Sequence, residues 1–386
     1  MKTCVIIAEF NPFHNGHKYL LDCARESGFT HIITVMSGNF VQRGEPAVYP
    51  ASQRIEDALK CGADLVIQLP VTSVLTSAQG FARGGVCLAE ATGVADALVF
   101  GSECGDITRI TKTAKIINSP EYAEKLRLYL KEGITYASAS EKALADISPG
   151  CSEIMSYPNN ILGAEYCAAL MKSGSQLTPV TIKRAENNPS NKGQFASASQ
   201  IRQMIYSGED ILPYIPPEIS SNSYKNIVYL NKYENAVLYK MRTVSLEEIA
   251  GAPDVSEGIE NRIFTAAQKA QTLEELYSLI KTKRYTRTRI QRIIANLTLG
   301  ITAEESGGNI EYLRVLGMSG KGTELLKLMK EKATLPVISK TADFKTLLQQ
   351  ANKMFELECR ATDIYALISE SSLPSGIEKS RTPIIL

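Results

Sequence analysis

Two histidines three residues apart, His14 and His17, lie in the segment Glu9-Phe10-Asn11-Pro12-Phe13-His14-Asn15-Gly16-His17. An apolar run at 4–10 precedes them, and helical spacing begins at about His17. Pro12 pushes Asn11 out of the α region, which makes the turn irregular. Gly16 then lets the backbone approach a ligand closely. Histidines three apart at a helix start point the same way, and the N-terminus beside them adds free N–H donors and a partial positive charge. The product is a phosphate cradle with two imidazoles able to donate hydrogen bonds to a polyphosphate in its transition state. Packed or surface histidines and metal ligands are the competing readings. A metal is disfavoured, because the third and last histidine, His31, falls in a strand-like run and no HExxH pattern exists.

The elements that must hold this turn follow from hydrophobic periodicity. Short runs rich in Val and Ile stand at 4–10, 31–36, 64–70, 97–101 and 177–184, each bounded by turn signals as buried parallel strands are. Helical spacing fills the intervals, for example 17–27, 52–61 and 79–92. The alternation predicts an α/β fold, a Rossmann-like doubly wound parallel sheet, with ligands bound beyond the carboxyl ends of the strands. The loops after Glu9, Met36, Leu69 and Phe100 should therefore converge. In the second of them Ser37, Asn39, Gln42 and Arg43 are candidates to meet an acceptor base or a carboxylate, with Arg54 on the following helix a weaker one.

The alternation stops near residue 208. A Pro-rich stretch at 212–217 cannot continue a helix or a central strand. We therefore expect a catalytic domain over 1–212, a linker over 213–219 and a mainly α-helical domain over 220–386. Net charge is only +1, so no global field declares a nucleic-acid partner. Residues 221–386, however, carry 23 basic and 19 acidic side chains, leaving 19 and 22 for the rest. Lys281, Lys283, Arg284, Arg287, Arg289 and Arg292 have no acid among them and Tyr285 interleaved, the best candidate for phosphate contact. Lys321 to Lys332 reads as an ordinary amphipathic helix. Eight cysteines without CxxC spacing read as reduced, partly buried thiols of a cytoplasmic protein. No stretch approaches the ~20 apolar residues of a membrane span, and the first apolar run is too short for a signal peptide.

His14-Asn15-Gly16-His17 resembles the HxGH signature of the nucleotidyltransferase superfamily whose Rossmann-like fold is shared with class I aminoacyl-tRNA synthetases. Ala196-Ser197-Ala198-Ser199-Gln200-Ile201-Arg202 resembles its second motif, in which the hydroxyls cap a helix and Arg202 neutralises phosphate charge. The ordered set 11–17, 36–47, Phe100-Gly101-Ser102-Glu103, 158–163, 181–184 and 314–317 is similar to the tRNA(Met) cytidine acetate ligase family over nearly the whole chain. That resemblance implies activation of acetate with ATP and acetylation of N4 of the wobble cytidine of elongator tRNA(Met). It implies an ATP site of Ile7, Ala8, Glu9, Phe10, Asn11, Pro12, Phe13, His14, Asn15, Gly16, His17, Lys18, Tyr19, Leu20, Gly101, Asn159 and Arg184, with Ser197 and Ser199 added from the second motif. It also lifts RNA binding by Lys283, Arg284, Arg287, Arg289 and Arg292 above a merely solvated helix face. Two departures stand out: Gln68 replaces an expected Glu, and 185–194 lacks the usual glycine-rich run ending in Tyr-His-Asp.

The chemistry fits these residues. Acetate is a poor acyl donor and the cytosine amine a poor nucleophile, so an activated acyl group is needed. Attack of acetate on the α-phosphorus of ATP gives acetyl-adenylate and pyrophosphate. That step needs in-line positioning and charge stabilisation more than proton transfer. His14, His17 and Arg202 are the catalytic candidates, with Arg184 beside them and magnesium assisting on the outer phosphates. A wobble base lies in a single-stranded loop where N4 is reachable. The rivals are a small-molecule adenylyl- or cytidylyltransferase, which would not need the additional helical region, and a catalytically inactive RNA-binding protein, against which both intact motifs argue.

Overall fold

Each of the five expected strands forms where its hydrophobic run predicts. In the computed structural model, which describes residues 1–185, 195–219, 227–256 and 258–386, they are β1 (Thr3–Ala8), β2 (His31–Ser37), β5 (Leu65–Leu69), β6 (Ala97–Ser102) and β7 (Thr178–Lys183). Two short strands, β3 (Phe40–Val41) and β4 (Glu45–Pro46), make a small separate ribbon after β2. All five long strands are mutually parallel, in the spatial order β5-β2-β1-β6-β7, and β1 runs in register with β2 from Thr3 opposite His31 to Ala8 opposite Met36. Side chains alternate between two layers. Val5, Ile33 and Leu65 enter one core, and Cys4, Ile6 and Ile32 the other. Both faces are covered, which is why these runs are continuously apolar. The helices α1 (Asn15–Glu26) and α2 (Ala51–Lys60) follow β1 and the β3–β4 ribbon.

The second half of the chain departs from the helical expectation in one respect. Leu313–Met318 forms a further strand, β8, antiparallel to β5, and Val337–Ile338 (β9) and Ile384–Ile385 (β10) pair with β8 in parallel. A short, mainly apolar run interrupted by Arg314 becomes a strand because the β5 edge is there to receive it, a fact no local window contains. Around it the helices Leu230–Thr243, Ile259–Lys269, Leu273–Ile280, Arg287–Leu299 and Gln349–Ile368 share a core. Phe40, Val71 and Leu75 of the first half enter the same cluster. The segment expected as a linker starts with a 3-10 turn at Leu212–Tyr214, and the Pro213 carbonyl accepts a hydrogen bond from Asn15 Nδ2 at 3.1 Å. The unusual stretch noted at 185–194 lies, from 186 onward, outside the described residues, as does 220–226.

Candidate active site

The turn between β1 and α1 is fixed from several sides. Phe10 has φ 49° and Asn11–Pro12 is cis. Positive φ is unfavourable for a bulky aromatic residue, so the surroundings must impose it. The Asn11 side-chain oxygen accepts from Val48 N–H at 2.8 Å, and its carbonyl accepts from Arg202 Nη1 at 2.8 Å. Arg54, wholly buried, donates to the carbonyls of Glu9, Ser37, Gly38 and Tyr49. It thereby ties the ends of β1 and β2 to the start of α2. Its guanidinium is committed to backbone, which removes it from the candidates for direct substrate contact.

Helix α1 begins at Asn15, two residues before the expected start, because His14 itself is the N-cap. His14 Nδ1 accepts from Gly16 N–H at 3.0 Å, and His17 Nδ1 accepts from His14 N–H at 3.3 Å. Both Nδ1 lone pairs are thus occupied by backbone donors, which places the proton of each neutral ring on Nε2. The rings stack with centroids 3.8 Å apart at 27°. A Cβ on Gly16 would lie 2.8 Å from His14 Cε1, so the bare backbone is what admits this ring. Burial, then the charges of Arg184 and Arg202, hold His14 down to about 3, well under its ordinary 6.5. Burial, His14 and Arg184 push His17 far down as well. Two neutral imidazoles with Nε2–H donors, a helix N-terminus and two nearby guanidiniums form an anion receptor.

Other expected ATP-site residues gather at the same edge. Arg184 follows β7; its N–H donates to the Ser102 carbonyl at 2.9 Å, and its side-chain stem passes over Gly101, where a Cβ would sit 3.5 Å from Arg184 Cγ. Asn159 opens the helix Pro158–Ser173 and donates to Glu103 Oε1 at 2.6 Å, while Glu103 Oε2 accepts from Asn160 N–H at 2.9 Å. Ser197 caps the helix Ala198–Ser207 through a capping box with Gln200, and that helix carries Arg202 to the Asn11 carbonyl; Ser199 is exposed. Lys18 is engaged with Asp22 at 2.5 Å and Glu218 at 3.8 Å, and Tyr19 stands edge-on to Phe195.

The 37–47 loop divides its labour differently from expectation. Ser37 is buried, and its hydroxyl has no partner among the described residues. Asn39 is buried too: its amide donates to Thr362 Oγ1 at 3.1 Å and its oxygen accepts from Ala51 N–H at 2.8 Å, so it supports the loop. Gln42 offers its backbone N–H to Glu9 Oε1 at 2.6 Å and its amide to the Thr76 carbonyl. Arg43 alone of the four is exposed.

Beneath the loop lies a polar network that sequence reading missed. Gln68 Nε2 donates to Glu358 Oε2 at 2.8 Å, and Gln68 Oε1 accepts from Arg314 Nη1 at 3.0 Å. Arg314 also meets Glu378 at 2.6 Å, and Thr362 Oγ1 donates to Glu378 Oε2 at 2.7 Å. An amide at 68 both gives and accepts here, whereas a carboxylate would set two acids against each other. The residue that departs from the family pattern suits its neighbours.

The basic segment is uneven. Lys281, Lys283 and Arg287 are exposed, Arg287 pairing with Glu274 at 2.5 Å, and Arg284 reaches the Leu130 carbonyl at 3.4 Å. Arg289 donates to the Asp254 carbonyl and lies over the Tyr285 ring. Arg292 is buried and paired with Asp254 at 3.2 Å, so it belongs to the packing of its helix and not to an open phosphate-facing surface. Among the described residues no three His, Cys, Asp or Glu side chains are grouped to hold a metal ion, and no helix is long and apolar enough to cross a membrane.

The chain is similar to known proteins over nearly its whole length. A family model described as HIGH Nucleotidyl Transferase matches residues 1–379. A protein of Thermoanaerobacter sp. (strain X514) named tRNA(Met) cytidine acetate ligase is 43% identical over 394 residues, covering 97% of each chain. One of that name from Acetivibrio thermocellus is 38% identical, covering 95% of each. A crystal structure of Thermotoga maritima TmcAL bound with alpha-thio ATP matches with TM-score 0.92 at 32% identity over 100% of both chains.

Proposed function

This chain belongs to the HIGH nucleotidyl transferase family, among the tRNA(Met) cytidine acetate ligases, and on that premise we propose how its residues divide the work of an ATP-dependent ligase. The enzyme joins acetate to N4 of the wobble cytidine of elongator tRNA(Met) in two steps. The observation that carries the assignment of the first is the pair of stacked imidazoles whose Nδ1 atoms accept from backbone and whose Nε2–H groups remain as donors.

ATP is held with its triphosphate against His14, His17 and the start of α1. Arg184 and Arg202 flank it, and Gly101 and Asn159 form the far wall. Acetate attacks the α-phosphorus, and the two Nε2–H donors and the arginines stabilise the charge that builds on its oxygens. Magnesium, carried by the ATP phosphates, would neutralise charge on the outer phosphates. Pyrophosphate leaves and acetyl-adenylate stays bound. The cytidine amine then attacks the acyl carbon and AMP departs.

The acceptor tRNA lies across the helical half, with Lys281, Lys283 and Arg284 as its phosphate contacts and Arg287 and Arg289 at their margin. Purified protein should catalyse acetate-dependent ATP–pyrophosphate exchange. Exchange that instead required a nucleoside monophosphate would point to a cofactor-forming transferase. Nucleoside mass spectrometry of tRNA from cells lacking the gene should show loss of N4-acetylcytidine.

A further inference from the structure

The second step releases a proton from the cytidine amine, and the groups named so far are ill suited to take it. His14 and His17 have Nδ1 occupied by backbone N–H donors and Nε2 already protonated. Accepting a further proton at Nδ1 would break the cap of α1 and charge a ring shielded from water. The arginines only donate. Other carboxylates at this edge of the sheet are engaged: Glu103 with Asn159 and Asn160, Glu45 with Gln291 at 2.6 Å, and Glu358 with Gln68 and the Val71 N–H.

Glu9 differs from all of these. It is the first residue beyond β1, half-buried, and stands where the phosphate cradle and the 37–47 loop meet. Its Oε1 accepts from Gln42 N–H at 2.6 Å, while Oε2 has no donor among the described residues. Its carbonyl is pinned by Arg54, and the next residue is locked at positive φ, so the carboxylate is aimed from a rigid base. One oxygen is used for orientation and the other accepts no hydrogen bond from the described residues, where the phosphate cradle meets the 37–47 loop.

We propose that Glu9 is the general base of acetyl transfer, a role that rests on the ligase reading given above. As N4 of cytidine bonds to the acyl carbon, the bond from that carbon to the phosphate oxygen of the adenylate breaks. AMP leaves with the electron pair, and the N4 proton passes to Glu9 Oε2 and thence to water. Burial raises the proton affinity of Glu9, opposed by the Gln42 N–H and the charges of Arg54, Arg202 and Arg43. The carboxylate is therefore a better base than one exposed to solvent.

The test supplies synthetic acetyl-adenylate and tRNA(Met) to the full-length protein without ATP and reads acetylcytidine in a single turnover. Acetate-dependent exchange is measured on the same preparations. E9Q keeps an oxygen for the Gln42 N–H but cannot take a proton; its transfer rate should fall about 100-fold, and by at least tenfold more than its exchange rate. Equal losses in the two reactions, or unimpaired transfer, overturn the assignment. If E9Q does not fold, E9D retains the charge but withdraws it by one methylene. Misplacement on that scale costs about 100-fold, again selectively in transfer, and equal losses again overturn it. Should the wild-type protein move no acetyl group from the supplied adenylate to tRNA, the ligase reading itself falls. Wild-type transfer with a fast E9Q rejects Glu9 alone.

Discussion

A neutral His14 has a measurable consequence for stability. In the folded chain burial and two arginines hold this imidazole down to about 3, against an ordinary value of 6.5. At pH 8 the ring is neutral in both folded and unfolded chains and contributes no pH dependence. As pH falls through 6.5 the unfolded chain takes up a proton that the folded chain refuses, so stability declines with falling pH until the folded ring titrates near 3. Integrating this difference from pH 7 to pH 5 gives a loss of about 2 kcal/mol from His14 alone. His14→Asn keeps a side-chain acceptor at the N-cap and has no proton to take. Urea unfolding of the two proteins at a series of pH values isolates the effect, because the carboxylates they share cancel in the difference. Relative to the variant, the wild type should lose about 2 kcal/mol between pH 7 and pH 5. The chain has only three histidines, so ring carbon NMR signals assigned by single substitutions give an independent reading. A stability difference that stays constant across this range would refute the neutral, donor-only role of His14.

Gly16→Ala should cut acetate-dependent exchange by about 100-fold with little change in melting temperature, because the new Cβ displaces the His14 ring from its cap. Arg202→Met removes a charged donor from the Asn11 carbonyl, and exchange should weaken by about 2 kcal/mol of transition-state binding, read as kcat/KM for ATP. Joint replacement of Lys281, Lys283 and Arg284 by Gln should lower tRNA affinity and flatten its salt dependence while sparing exchange. Arg292→Met should instead destabilise the fold by about 1 kcal/mol, since the exposed Asp254 carboxylate left behind is taken up by water, seen in urea unfolding. Thr362→Val removes the hydroxyl between Asn39 and Glu378; acetyl transfer should slow, exchange should not, and Thr362→Ser should restore the wild-type rate.

The parts of this molecule that could be read from sequence are those whose causes are local. Five parallel strands announce themselves because burial on both faces makes each a compact apolar run. The cradle is legible because His14, Gly16 and His17 lie within one turn and recognise each other through backbone groups of that turn. Direction is what the sequence withholds. Asn39 and Arg54 are polar residues beside a strand end, as ligand-binding residues are, yet both point inward and hold backbone. Arg292 stands in a run of cations, but its place on the helix turns it towards Asp254. Gln68 finds its partners 246 and 290 residues away, and β8 needs the edge of β5, so neither has a signal in its own neighbourhood.

These long-range contacts also explain why one chain carries both halves. Glu358, Thr362 and Tyr365 lie on one face of the Gln349–Ile368 helix, at spacings of four and three. Glu358 meets Gln68 and the start of the turn after β5, Thr362 meets Asn39, and the Tyr365 hydroxyl donates to the Ala47 carbonyl at 2.9 Å. The same helix sends Leu357, Ala361 and Ile368 into the core shared with Ile290, Ile293 and Ile294, next to the basic segment. A helix packed this way is a rigid spacer, since close-packed interiors transmit displacement instead of absorbing it. The 37–47 loop and the surface proposed to bind tRNA are therefore held at a fixed separation. On the reading proposed above, the tRNA body would have to seat at that distance for its wobble base to reach the adenylate, so a variant that shifts this helix should lower acetyl transfer while leaving acetate-dependent exchange intact.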